Sequence, residues 1–229
     1  EVAPPPGLPA AVADLPPRDA STREGFLATQ PLPACALADR IAAGPNAGQI
    51  RFLGPADLDP APVVAAYGSR FGVSPSVQRG AVSRAQCPLL DFLREIAGRP
   101  APPVTLQAQA SAAGEQLQVR GSVDAGAGRN LWLLIVPPSG EVYDLSSQLG
   151  EAAAGEGRTF GFALSQDQAA AGAGTGAYLL VALATDAPIA AVAAAPSGVP
   201  AEELLPRVLE ELRAAGEAPS LAIQPIAMP

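Results

Sequence analysis

The sequence predicts an α+β chain. A small α/β module bracketed by two cysteines spans residues 35–99, and an antiparallel β-sandwich with a C-terminal helix spans 104–229. Three observations carry this. Cys35 and Cys87 enclose a stretch in which strand and helix patterns follow one another. After residue 104, six short apolar or alternating segments are separated by turn residues, as in an all-β layer structure. Near the end, Leu204, Leu205, Val208, Leu209 and Leu212 recur at helical spacing.

Residues 1–34 read as a proline-rich linker. Pro4 to Pro6, Pro9, Pro16, Pro17, Pro31 and Pro33 oppose helices and ladders and favour extended chain. In the module, Cys35 to Ile41 is a short apolar helix or strand, and Gln49 to Gly54 alternates as a strand. Asp59-Pro60 reads as a cap with proline at the first helical position. Val63, Val64, Tyr67 and Phe71 form the apolar stripe of that helix, and Gly72 ends it. Ser76 to Val82 is a weak second strand. Pro88 opens a helix with Leu89, Leu90, Leu93 and Ile96 on one face, stopped by Gly98 and Pro100. Residues 100–103 are a second linker.

In the β region, Val104 to Gln109 and Gln116 to Arg120 alternate about a turn at Ser111–Gly114, a hairpin with one wet face. Leu131 to Val136 is a continuous apolar run, hence a central strand. Pro137-Pro138-Ser139-Gly140 is a turn, and Glu141 to Leu145 is the return strand. Phe160, Phe162 and Leu164 alternate again, and Tyr178 to Ala184 is a last central strand. In the helix after Glu202, Pro206 predicts a kink or the helix's true start. Ser220 to Met228 reads as an edge strand.

Composition removes most catalytic templates. The chain of 229 residues has no His, and all 14 of its basic residues are Arg. It therefore lacks the commonest general base and transition-metal ligand, the Schiff-base amine and the P-loop lysine. The net charge of −8 disfavours phosphate backbones, so no nucleic acid is expected as a partner. No apolar run approaches the length of a membrane helix, so contact with a membrane is expected only through an anchor outside the chain. The two cysteines allow a single pairing, which would close a loop of roughly 50 residues and contribute on the order of 4 kcal/mol. The alternative is a pair of buried free thiols in a reducing compartment.

The remaining polar groups suggest neither catalysis nor a cofactor. Glu202, Glu203, Glu210 and Glu211 read as a solvated helix face, and Asp57 and Asp59 as caps. Asp124 and Asp144 sit at strand ends, without the clustered oxygens calcium needs, so no metal site is expected. Gly172 to Gly176 imitates a nucleotide loop but precedes a strand, and reads as a plain loop. Trp132 is either a core residue or an exposed partner contact, which Tyr143 on the neighbouring strand would join.

The segment Leu32-Pro33-Ala34-Cys35-Ala36-Leu37, the strand Ile50 to Gly54, the helix after it and the run Cys87-Pro88-Leu89-Leu90-Asp91-Phe92-Leu93 resemble a BON-like module. Such modules occur in extracytoplasmic regions of proteobacterial transmembrane serine/threonine kinases and related envelope proteins. The strands Leu131 to Val136, Gly140 to Leu145 and Tyr178 to Ala182 resemble the immunoglobulin-like domains that can follow. The resemblance implies a periplasmic or secreted location and a disulfide-bracketed module. It implies a non-catalytic sensing or binding role in a membrane-anchored signalling protein, with a protein or envelope component as partner. A structural accessory subunit of an envelope assembly is the alternative.

Overall fold

The computed structural model describes residues 19–42, 44–97, 101–113, 116–151, 157–165 and 177–226. The glycine-rich run 172–176 and the N-terminal prolines up to Pro17 lie outside the described residues.

Inside the stretch expected to be linker, Arg23–Thr29 forms a helix, α1. Thr22 caps it by accepting from the Gly25 N–H at 3.0 Å. Leu27 is buried, and Gly25 sits so close to the Asp19 carbonyl that a Cβ would clash. The cap and the buried Leu27 override the surrounding prolines, so the folded body begins before Cys35.

Strand β1, Leu37–Arg40, resolves the helix-or-strand ambiguity after Cys35. It pairs antiparallel with β2, Ile50–Gly54, and β2 pairs parallel with β3, Val77–Ala81. The parallel pair requires a crossover, which helix α2, Ala61–Phe71, supplies. The Asp59 carboxylate accepts from the Ala61 N–H at 2.9 Å, and Gly72 takes the left-handed conformation at the C-cap, as its position predicted. One face of this sheet presents Ala38, Ile50 and Phe52 to Leu27, Val63 and Tyr67 of α1 and α2. The other face presents Leu37 and Leu53 to helix α3, Cys87–Ala97.

The β region holds two sheets. In one, β4 (Thr105–Ala113), β5 (Gln116–Asp124) and β8 (Arg158–Ser165) lie in that spatial order. Of the turn expected at Ser111–Gly114, Ser111 to Ala113 are strand, paired with β5 as far as Ala113 opposite Gln116, and Gly114 lies outside the described residues. The other sheet runs β10 (Val199–Pro200), β7 (Glu141–Asp144), β6 (Asn130–Val136), β9 (Tyr178–Thr185), β11 (Ser220–Ile226). All its pairings are antiparallel. Leu117, Val119 and Phe160 of the first sheet share a core with Leu133, Ile135, Leu180 and Ile226 of the second.

The opposite face of the five-stranded sheet is covered by helices. Alternate residues Leu134, Val136, Leu179, Val181 and Leu183 meet Leu89, Leu90 and Leu93 of α3. They also meet α4 (Ala190–Ala193) and α5 (Ala201–Ala214) through Val192, Leu204, Leu205, Val208 and Leu212. Strand β9 is therefore buried on both sides along its whole length. Helix α5 begins at Ala201 and continues through Pro206, its sixth residue, which has no N–H to donate to the Glu202 carbonyl; the buried Leu204, Leu205, Val208 and Leu212 hold the helix on either side of it. Glu211 is not a solvated face residue: its carboxylate accepts from the Ala190 and Ala191 N–H groups and so caps α4.

The expected boundary at 100–103 does not divide the core. Helix α3 belongs by sequence to the first module, yet its apolar face is shared between β1–β2 and the five-stranded sheet.

Candidate functional site

Cys35 and Cys87 form a disulfide, with their Cα atoms 4.5 Å apart. It joins Cys35, two residues before β1, to the first residue of α3. Cys35 has φ 60°, a left-handed conformation that costs a non-glycine residue on the order of 1 kcal/mol. The bridge holds this conformation, helped by Cys35 N–H donation to Asp91 Oδ1 at 3.4 Å. Asp91 also pairs with Arg94 at 2.9 Å, and Arg94 donates to the Pro33 carbonyl at 3.0 Å. The chain approaching β1 is thus fastened to α3 by one covalent bond and a short polar relay.

Trp132 and Tyr143 are not brought together. Trp132 is half-buried on the helix-facing side of β6, packed against the α3–α5 core, and its indole N–H donates to Thr185 Oγ1 at 3.3 Å. Tyr143 pairs across the ladder with Ile135, whose side chain enters the core on the other face. Side chains alternate along a strand, so the two aromatics lie on opposite faces of one sheet. A joint contact surface built from both is excluded by the pleat. Among the described residues Tyr143 is the exposed large apolar side chain, with its ring near Gly198. Tyr178 shares its face. Its phenol is pushed above the ordinary tyrosine range, chiefly by burial and secondarily by the charge that Tyr143 would carry when ionised.

The site that sequence reading missed is a polar cleft of about 280 Å³ between the β1–β2–β3 sheet and the edges of β4 and β11. Its floor is a single cross-strand row, Asp39–Arg51–Gln78, on adjacent strands in register. The Arg51 side chain is only 9% exposed. It grips Asp39 with both prongs, Nε lying 2.9 Å from Oδ1 and Nη2 against Oδ2. The facing wall is built on Gln224 of β11, whose side-chain amide donates to the Ala108 carbonyl at 2.7 Å and accepts from its N–H at 2.8 Å. That side chain imitates a strand partner for β4 and joins the two sheets at the mouth of the cleft. Arg40 closes one end. It is paired with Glu24 at 2.7 Å, while its buried Nε has no hydrogen-bond partner among the described residues.

No family model, curated protein or solved structure matches the chain.

The chemistry of the cleft suits recognition. Its ion pairs compensate each other, and amides of Gln78, Gln107 and Gln109 offer both donors and acceptors. Among the described residues, His, Cys, Asp and Glu do not gather into a group able to hold a metal. No helix among them is long and apolar enough to cross a membrane. The signal in the sequence was Arg51 itself, a charge inside the otherwise apolar strand Ile50 to Leu53, with Asp39 at the end of the strand before it. Pairing register is what brings them together, and spacing alone does not give register.

Proposed function

We propose that this chain is a non-catalytic extracytoplasmic sensing or binding module of a membrane-anchored signalling protein, with a protein or envelope component as its partner. The observation that carries the reading is the Cys35–Cys87 disulfide, which fits an oxidising compartment. Two further features support it. The cleft over Asp39, Arg51 and Gln78 is lined by paired charges and amides, the equipment of recognition. The disulfide-bracketed β1–β2–β3 unit and the two facing sheets after it suit a BON-like module joined to an immunoglobulin-like sandwich. On this reading the β region is the platform against which α3 holds the module in a fixed orientation.

The test is topology in the native host. The full-length parent protein carries an epitope after Ile226, and spheroplasts are treated with protease. Loss of the epitope in spheroplasts, with protection in intact cells, is the expected result. Protection until the inner membrane is lysed would overturn the proposal.

A further inference from the structure

We propose that the free edge of β4 is a self-association surface, on which a second copy of this chain pairs antiparallel to form a two-fold dimer.

Most sheet edges here are guarded. Strand β10 is two residues long and ends in Pro200, and β11 contains Pro225. Strand β3 carries Arg79, whose guanidinium reaches back to the Ala56 and Leu58 carbonyls. Strand β1 carries Asp39 and Arg40 and is flanked by α1. The first half of β8 is covered by Leu149 and Gly150. Strand β4 differs. Gln109, Ala110, Ser111, Ala112 and Ala113 are five consecutive exposed residues with no charge, no proline and no glycine. Among the described residues they pair with β5 on one side only.

The direction of the backbone fixes which groups are free. Ala108 bonds with both its N–H and its carbonyl to Gln224, so its peptide groups point away from β5. Alternation then turns the N–H and C=O of Ala110 and Ala112 outward as well. Gln224 already occupies Ala108, so a new strand must pair beyond it. One antiparallel two-fold register does this: Ser111 opposite Ser111 of the second copy, and Ala110 opposite Ala112. In that register Ala110 and Ala112 exchange hydrogen bonds with their counterparts. Ser111 forms the close pair on the axis, with Cα atoms about 4.5 Å apart. No like charges meet, which is what a symmetric pairing requires of its own sequence. The contact is short and each copy carries a charge of −8, so the dimer is weak and strengthens with salt.

Sedimentation velocity over a concentration series, at low and moderate salt, tests this on the intact chain. The expected result is a concentration-dependent dimer, promoted by salt. Ser111→Glu and Ser111→Arg should each lose the dimer through like charges on the axis, and an equimolar mixture should regain it. Ala110→Pro removes an outward N–H without touching the β4–β5 ladder, and should lose the dimer while keeping the parent's melting temperature. A parent that stays monomeric throughout overturns the proposal. So does undiminished dimerisation of the two Ser111 variants taken separately.

Discussion

The side-chain amide of Gln86 donates to the backbone carbonyl of Val136 at 2.9 Å, joining the start of α3 to the end of a central strand in the other half of the chain. The same nitrogen donates to Ala177 O at 2.9 Å, and the side-chain oxygen accepts from Ser83 N–H at 3.0 Å. Gln86 is fully buried. Nearby, Ser83 Oγ donates to the Pro138 carbonyl, and the Ala85 carbonyl lies where a side chain at Gly140 would have to go. Gly140 has φ 92°, so backbone conformation and space both demand glycine there.

This seam predicts cooperative unfolding. Gln86→Leu leaves two carbonyls without their partner in a dry interface, and should cost about 2–4 kcal/mol. Urea unfolding followed by far-UV circular dichroism should give one transition in the parent chain. A two-step transition would mean that the modules fold separately.

Asp39 is the counter-ion of a guanidinium that is nearly out of water. Asp39→Ala should therefore destabilise by about 3 kcal/mol, because Arg51 is left buried and unpaired. Arg51→Met with Asp39→Ala should recover much of that loss. A double-mutant cycle in urea measures the coupling, and strict additivity would show that the pair does not interact.

The disulfide closes a long loop between two elements that also pack together. Replacing both cysteines with alanine should lower stability by about 4 kcal/mol and leave the fold recognisable, since Leu37, Leu53 and Leu90 keep their contacts. Thermal melts and near-UV circular dichroism, with and without reductant, check both parts.

Tyr178 links stability to alkaline pH. Its folded pKa is raised, so the folded state holds the phenol proton more tightly than the unfolded state does. The contribution is complete below the ordinary tyrosine value of 10.0 and is lost as pH rises through the folded value. Urea midpoints should hold up to about pH 10 and fall as the pH rises beyond it. Tyr143→Phe removes the smaller, electrostatic cause and should narrow that window slightly, as read by ultraviolet titration of the phenols.

Much of the chain was legible where local chemistry and periodicity agree. Gly72 ends α2, the stripe from Leu89 to Ile96 is the buried face of α3, and the apolar run Leu131 to Val136 is central. Two cysteines allowed one pairing, with free thiols as the alternative, and the structure shows the bond. What could not be read depends on long-range register. Helix α1 is short, and its signals, Thr22 and Leu27, are outweighed by flanking prolines. The opposed facing of Trp132 and Tyr143 follows from a ladder register that no spacing reveals. The Asp39–Arg51–Gln78 row needs three strands aligned, two of them parallel. The continuity of the core across residues 100–103 rests on α3 having two partners, whereas a stripe in sequence specifies only one apolar face.

The extracytoplasmic reading stands most directly on the thiol state of the protein in its own cell. Cells producing the full-length parent at native level are quenched in acid, and the thiols are alkylated under denaturing, non-reducing conditions. Mass spectrometry is then read on the fragments bearing Cys35 and Cys87. The account predicts a linked pair with no alkylated form of either cysteine. Quantitative alkylation of both would place the chain in a reducing compartment and contradict the account.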